Sequence, residues 1–393
     1  MLPGRVVTLY LCAAAALFEG YDTQSMGVAA PRLLAEFGLT SGQAGMIFSA
    51  ATLGLFIGAG IGGRAADLLG RKRTLIISLL LFGLCSLLTA DVSGTRMLLL
   101  VRLLTGLGLG GAMPNFIALA SEAVEPAHRV RVGTMVMAAM PLGGVLAGLM
   151  ALTDRLNWNW RAIFVVGGLA PMLVALIMVW AMPQAAASRP RRQDVASVAQ
   201  VLAGTDRART TLLLWGGFFF TQLVLLLMLN WLPSLIIGLG FSHSQASMVS
   251  IGFNLSGAIG AVLLGRMHAG ERRRQWVLAT YCGIAAALVA VALAGKSFAL
   301  VALACACAGV FIVGAQLILF ALAPLYYQSA MRGTGVGAAV AVGRLGSVFG
   351  PMYAAALLAA GGGSATVLLG ILPFVACGGA AAYALTRRPQ TQD

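Results

Sequence analysis

Apolar runs of about twenty residues recur along the whole chain, and this limits its possible folds more than any single residue does. Twelve such runs cover residues 6–30, 43–64, 74–92, 95–119, 132–153, 160–182, 211–237, 245–267, 275–294, 298–324, 334–360 and 364–386. A run of about 20 apolar residues crosses the hydrocarbon core of a bilayer as one helix. There, a helix satisfies its backbone polar groups within the segment itself. The composition agrees: 60% of the 393 residues are hydrophobic and 10% are charged, against about a quarter charged in soluble domains. The sequence predicts an all-α membrane protein with twelve transmembrane helices. One long polar segment, Pro183 to Thr210, follows the sixth run. It predicts two six-helix halves, residues 1–182 and 211–393, joined by a linker at 183–210. The run after Arg5 continues through acidic residues into Pro31, which favours a retained first helix over a cleaved signal.

The formal charge of +14 does not point to a polyanionic partner. With the N-terminus inside, 19 of the 26 Lys and Arg residues fall in inner connections. Arg64, Arg71, Lys72 and Arg73 form one cluster, and Arg266, Arg272, Arg273 and Arg274 another. Arg189, Arg191, Arg192, Arg207 and Arg209 lie in the linker. Only Arg32, Arg96, Arg155, Arg161 and Lys296 fall in outer connections. This asymmetry places both termini in the cytoplasm. The basic residues form no stripe, so the expected partner is the lipid bilayer and not nucleic acid. The six cysteines lie inside apolar runs and read as small packing residues. No metal-ligand spacing, nucleophile–base pair or phosphate loop stands out, so no enzyme activity or cofactor is expected. A sensor would need a sizeable soluble domain, which these residues do not include.

Charged residues inside the runs are therefore informative. The first run contains Phe18-Glu19-Gly20-Tyr21-Asp22. A carboxylate at the centre of a membrane helix costs roughly 3 kcal/mol even on a lenient insertion scale, and such acids mark ion or proton pathways. Glu19 and Asp22 are three apart and share a helix face. Two arginines lie inside runs as well. Arg102 sits about 8 Å deep at 1.5 Å per residue, where it serves either as a snorkelling anchor or as a functional cation. Arg344 sits about 15 Å deep by the same rise, near the midplane. Its planar fork suits a carboxylate, either on a substrate or on Glu19 or Asp22. Gln222 and Asn230 share a helix face beside Trp231, and Gln316, Asn115 and Asn254 lie in other runs. Each either lines a cavity or bonds to a neighbouring helix. Trp231 either stacks on an aromatic substrate or belongs to an interfacial belt.

The inner connections carry two further patterns. Gly63-Arg64-Ala65-Ala66-Asp67-Leu68-Leu69-Gly70-Arg71-Lys72-Arg73 resembles the loop signature of the major facilitator superfamily. Its glycines permit a tight turn, and Asp67 can cap a helix or pair with an arginine. A weak copy without the acid recurs at Gly265 to Arg274. Arg102-Leu-Leu-Thr-Gly106-Leu-Gly108-Leu-Gly110-Gly111 resembles the same superfamily's fourth-helix motif, and its glycines predict close helix packing. Glu122, with Glu125, Arg129 and Arg131, forms either a set of gating salt bridges or a solvated loop.

Glu19-Gly20-Tyr21-Asp22 resembles the Asp-Gly-x-Asp signature of the aromatic acid:proton symporter family, with Glu in first place. Arg332-Gly-Thr-Gly-Val-Gly, Gly343-Arg344-Leu-Gly and Gly350-Pro351 resemble its eleventh-helix signature. Pro114-Asn115 to Glu122 and Leu229-Asn230-Trp231-Leu232-Pro233 are most similar to the branch that carries 3-(3-hydroxyphenyl)propionates. The resemblance implies uptake of a small aromatic carboxylate with a proton across the bacterial inner membrane. Glu19 and Asp22 would be the coupling acids, and Gly63, Asp67, Gly70 and Arg71 the loop motif. Substrate then binds between the halves near mid-membrane, with the proton as coupling ion and the monomer as the working unit. An exporter of drugs or metabolites with the same fold is the alternative reading. Met140-Pro141-Leu142-Gly143-Gly144 matches the fifth-helix pattern of exporters only in part.

Overall fold

A computed structural model describes residues 3–125, 128–152, 160–182, 205–267 and 272–388. Most of the expected linker therefore lies outside the described residues, together with Arg189, Arg191 and Arg192. The described residues are helical, with no strand among them. In chain order the helices are α1 (Pro3–Phe37), α2 (Ser41–Leu69), α3 (Arg71–Ala90), α4 (Thr95–Glu122), α5 (Arg129–Met137), α6 (Ala139–Leu152) and α7 (Arg161–Ala181). Then follow α8 (Thr205–Gly238), α9 (His243–Met267), α10 (Arg273–Leu293), α11 (Phe298–Leu322), a 3-10 turn (Ala323–Tyr326), α12 (Ser329–Ala359), α13 (Ser364–Gly370) and α14 (Leu372–Leu385).

These helices make the twelve expected passes, two of them broken. Pro141 cannot donate to the Met137 carbonyl, and the fifth pass divides there into α5 and α6. Pro373, in the first turn of α14, breaks the twelfth pass after Gly370 in the same way. Ten passes are long and apolar enough to cross a membrane on length and hydropathy alone. The other two, α1 and α9, carry more polar residues. Rows such as Leu53, Ile57 and Ile61 on α2 and Leu80, Leu84 and Leu88 on α3 are exposed. Apolar side chains at i, i+4 and i+8 facing outward are what a helix presents to lipid.

The chain folds into two compact units. One comprises Met1–Pro190 with Ala246–Ile251, and the other Arg191–Gln245 with Gly252–Asp393. In the first unit α2 packs along α4, α3 lies against α4 and α7, and α1 lies against α6 and α7. Glycines set these distances. A Cβ on Gly54 would stand 2.0 Å from the Leu103 carbonyl oxygen, and one on Gly58 2.1 Å from that of Leu107. From the other side, Gly106 and Gly110 meet the Ala51 and Leu55 carbonyls at 1.9 and 2.1 Å. The fourth-helix glycines thus allow backbone-to-backbone contact, as their spacing predicts. In the second unit α8 packs along α12 in the same manner. Gly346 and Gly350 lie under the Phe219 and Leu223 carbonyls, at 2.0 and 2.3 Å from their would-be Cβ positions.

One turn occurs twice. Gly38 (φ 59°) and Gly240 (φ 96°) end α1 and α8 in the left-handed region. The next residue closes each end with a bond five residues back, Leu39 to Leu34 and Phe241 to Ile236. A reciprocal cap then opens the following helix. Thr40 and Gln43 exchange side-chain and backbone bonds at the start of α2, and Ser242 and Gln245 do the same before α9. The internal repeat is therefore visible at the starts of the second and eighth passes.

Candidate functional site

Asp22 lies in the middle of α1 with no solvent exposure, and Arg102 of α4 is 1% exposed. Arg102 Nη2 stands 3.2 Å from Asp22 Oδ2, and Nη1 stands 3.5 Å from Oδ1. The planar guanidinium thus faces the carboxylate with both of its outer nitrogens. Arg102 does not snorkel, because its head group points into the unit. The carboxylate of Asp22 is matched by this arginine inside the first unit. Arg102 also lies 5.7 Å from the centroid of the Phe164 ring, a cation–π distance. Its Nε has no hydrogen-bond partner among the described residues.

The elements around the pair hold it in place. Tyr21 donates its hydroxyl to the Ile163 carbonyl at 2.9 Å, and Ser86 donates to the Phe164 carbonyl at 3.1 Å. α1 and α3 thereby fix the start of α7 and with it the Phe164 ring. Gly20 faces the Met140 carbonyl and Gly143 the Leu17 carbonyl, at 2.0 and 1.9 Å from their would-be Cβ positions. The Glu19–Asp22 segment is thus pressed backbone to backbone on α6. Glu19 is buried. At the C-terminal end of the same helix, Glu36 receives both outer nitrogens of Arg161, at 2.7 and 3.1 Å, and the Trp160 indole N–H at 2.5 Å. Neither Tyr21, Phe164 nor the Glu36–Arg161–Trp160 cluster stood out in the sequence.

The loop motif between α2 and α3 resolves into two ties. Gly70 (φ 86°) turns the chain between α2 and α3. Arg71, the first residue of α3, forms an ion pair with Glu122, the last of α4. Both side chains are accessible, at 44% and 37%. Lys72 donates to the Met182 and Val179 carbonyls at 2.5 and 3.3 Å, where α7 leaves acceptors unmatched. Asp67 is exposed in the last turn of α2 and makes no ion pair among the described residues. It does not cap α3 either, whose N-cap is Gly70 with no side-chain bond. Gly63 has open space where a Cβ would stand, so no contact demands a glycine there. Of the acidic-basic cluster beyond α4, the side chain of Arg131 lies outside the described residues.

In the second unit Arg344 lies half-buried on α12, next to Gly343, which packs on Phe218 and Gln222 of α8. Gln222 and Gln316 are buried. Trp231 is 2% exposed and donates its indole N–H to the Pro351 carbonyl at 3.0 Å. It joins α8 to α12 from the interior and is not a belt residue. Asn230 donates to the Leu226 carbonyl and Asn115 to the Gly111 carbonyl, each at 2.8 Å and one turn back on its own helix. Their side-chain donors are thus engaged locally. No group of His, Cys, Asp and Glu able to hold a metal ion occurs among the described residues.

Comparison with known proteins bears on this architecture. The Major Facilitator Superfamily model matches residues 12–351. The chain is 42% identical over 384 residues to the 3-(3-hydroxy-phenyl)propionate transporter of Escherichia coli K12, covering 98% of this chain and 94% of that protein. It is 32% identical over 400 residues to the gallate transporter of Pseudomonas putida, covering 94% and 89%. Among solved structures, the bacterial homologue of the human lysosomal transporter Spinster, in its inward-facing and occupied conformation, superposes with a TM-score of 0.82 at 17% identity, over 98% of each chain. That likeness concerns the fold. The chain belongs to the Major Facilitator Superfamily and is a multi-pass membrane transporter.

Proposed function

We propose that the protein imports a small aromatic carboxylate of the hydroxyphenylpropionate type together with a proton. It works as a monomer in the bacterial inner membrane by alternating access, with both termini in the cytoplasm. The observation that carries the proton assignment is the buried Asp22–Arg102 pair, at 3.2 Å in the interior of the first unit. Names of related transporters support the substrate class: a hydroxyphenylpropionate carrier at 42% identity and a gallate carrier at 32%. Nineteen basic residues against five support the orientation.

The chemistry follows from the pair. A proton on Asp22 removes the charge that holds the Arg102 guanidinium, and α4 is released from α1 at that point. A deprotonated Asp22 restores the contact and favours the other arrangement. Glu19, one helical turn away, is the second acid on this path. In the other unit Arg344 receives the substrate carboxylate, for which its two parallel donors are suited. Proton and anion each bias the same conformational equilibrium, so each raises the affinity for the other. No cofactor is required.

Proteoliposomes test this reading. With the exterior acid, parent protein should accumulate labelled 3-(3-hydroxyphenyl)propionate above the external concentration, and a protonophore should abolish the accumulation. Equilibration without accumulation in the presence of a proton gradient contradicts proton coupling. Absence of any aromatic acid uptake contradicts the substrate class.

A further inference from the structure

Two buried glutamines of the second unit keep polar atoms without a protein partner. Gln316 on α11 is 6% exposed, and neither its Oε1 nor its Nε2 has a hydrogen-bond partner among the described residues. Gln222 on α8 is 5% exposed, and its Oε1 is unmatched as well. Buried amides left unmatched are costly and rare, and each calls for a group that completes it.

Other contacts bring together the stretches of α8 and α11 that carry the two amides. Tyr327, just past α11, donates its hydroxyl to Thr211 Oγ1 at 3.0 Å. Seven residues along α8 from Thr211 is Phe218, and seven residues back from Tyr327 is Phe320. Those two rings meet edge to face at 5.2 Å. The helices therefore run antiparallel in a fixed register. One more turn in each direction reaches Gln222 and Gln316, on the same faces as Phe218 and Phe320. Gln222 also touches α12, since a Cβ on Gly343 would stand 3.3 Å from its Cγ. Gly343 immediately precedes Arg344.

We infer that Gln222 and Gln316 form the subsite that reads a hydroxyl on the substrate's aromatic ring, an inference that rests on the aromatic-carboxylate reading above. The unmatched set decides between ligand groups. It holds two acceptor oxygens and one amide NH2. A carboxylate only accepts, so it would leave both oxygens unmatched and face their partial negative charge. A phenolic hydroxyl donates and accepts. It donates to one amide oxygen and accepts from Gln316 Nε2. Turning the Gln316 amide over exchanges its two ends and leaves the same set. Phe218 and Phe320, one turn away, offer an apolar wall for the ring. Arg344 takes the carboxylate, so the two ends of one molecule are read by different side chains of one unit. A ring without the hydroxyl leaves the amides unmatched, and that penalty is the basis of rejection.

Binding to purified full-length protein tests the assignment, with 3-(3-hydroxyphenyl)propionate and 3-phenylpropionate as probes. Parent protein should bind the hydroxylated acid about tenfold or more tightly. Gln316→Leu and Gln222→Leu should each remove most of that preference by weakening the hydroxylated acid, with the unsubstituted acid bound as well or better. Gln316→Met, similar in length but without the polar ends, is the second variant should a leucine fail to fold. Equal weakening of both acids, or an unchanged preference, overturns the subsite. A parent that binds both acids equally also overturns it and leaves the aromatic-carboxylate reading standing. A parent that binds neither acid refutes that reading itself.

Discussion

Asp22 and Arg102 are each hidden from solvent and each matched by the other, so neither can be altered alone without leaving a buried charge. Removing one partner of such a pair costs ~3–5 kcal/mol. Asp22→Asn and Arg102→Gln should each lower stability by about that amount, and the double variant by clearly less than the two together. Unfolding in detergent, followed by intrinsic fluorescence, measures all three, and strict additivity would refute the pairing. Arg71 and Glu122 present the opposite case. Their pair is open to water, at 44% and 37% accessibility, and exposed pairs contribute at most about 1 kcal/mol. Arg71→Ala should barely shift the melting temperature yet slow uptake several-fold, because the contact ties the start of α3 to the end of α4. A melting shift as large as that of Asp22→Asn would make it a structural contact only. The types of these residues were legible in the sequence, but their pairing was not. Asp22 and Arg102 are 80 positions apart. Depth along one helix says nothing about rotation toward another, so Arg102 and Arg344 could not be told apart as partners.

At the scale of the element, glycine spacing was the most dependable sequence signal. Gly106 and Gly110 predicted close packing, and they lie on the carbonyls of α2. Gly58→Ala should therefore force the helices apart and cost ~1–3 kcal/mol. Gly60→Ala on the same helix meets nothing within 4 Å and should be neutral or stabilising by up to ~1 kcal/mol through helix propensity. Melting of the two variants side by side distinguishes packing from propensity, and equal effects would contradict the packing account. The broken passes were missed because proline has two outcomes. Pro31, Pro114 and Pro233 sit inside continuous helices, whereas Pro141 and Pro373 mark breaks. The missing N–H is common to all five, so a proline in the sequence does not by itself tell one outcome from the other. The repeated turn was readable in principle. Gly38-Leu39-Thr40 and Gly240-Phe241-Ser242 each precede a glutamine three positions beyond the cap, the spacing of a reciprocal cap.

For the whole molecule, hydropathy and charge carried the reading. Length and apolarity gave twelve passes, and alternation of basic residues predicts the orientation. Reporter fusions after Arg388 and within 183–204 should both be active only as cytoplasmic reporters, and a fusion at Lys296 only as an exported one. The reverse pattern would invert the proposed topology. What composition cannot supply is the proposed coupling of proton to anion. That coupling depends on which side chains exchange partners, and it is the central claim. Proteoliposomes loaded with a pH-sensitive dye, with substrate added outside, test it most directly. Parent protein should acidify the interior on addition of 3-(3-hydroxyphenyl)propionate, whereas Asp22→Asn, still folded and still binding the acid, should not. Acidification by Asp22→Asn at the parent rate would contradict the account.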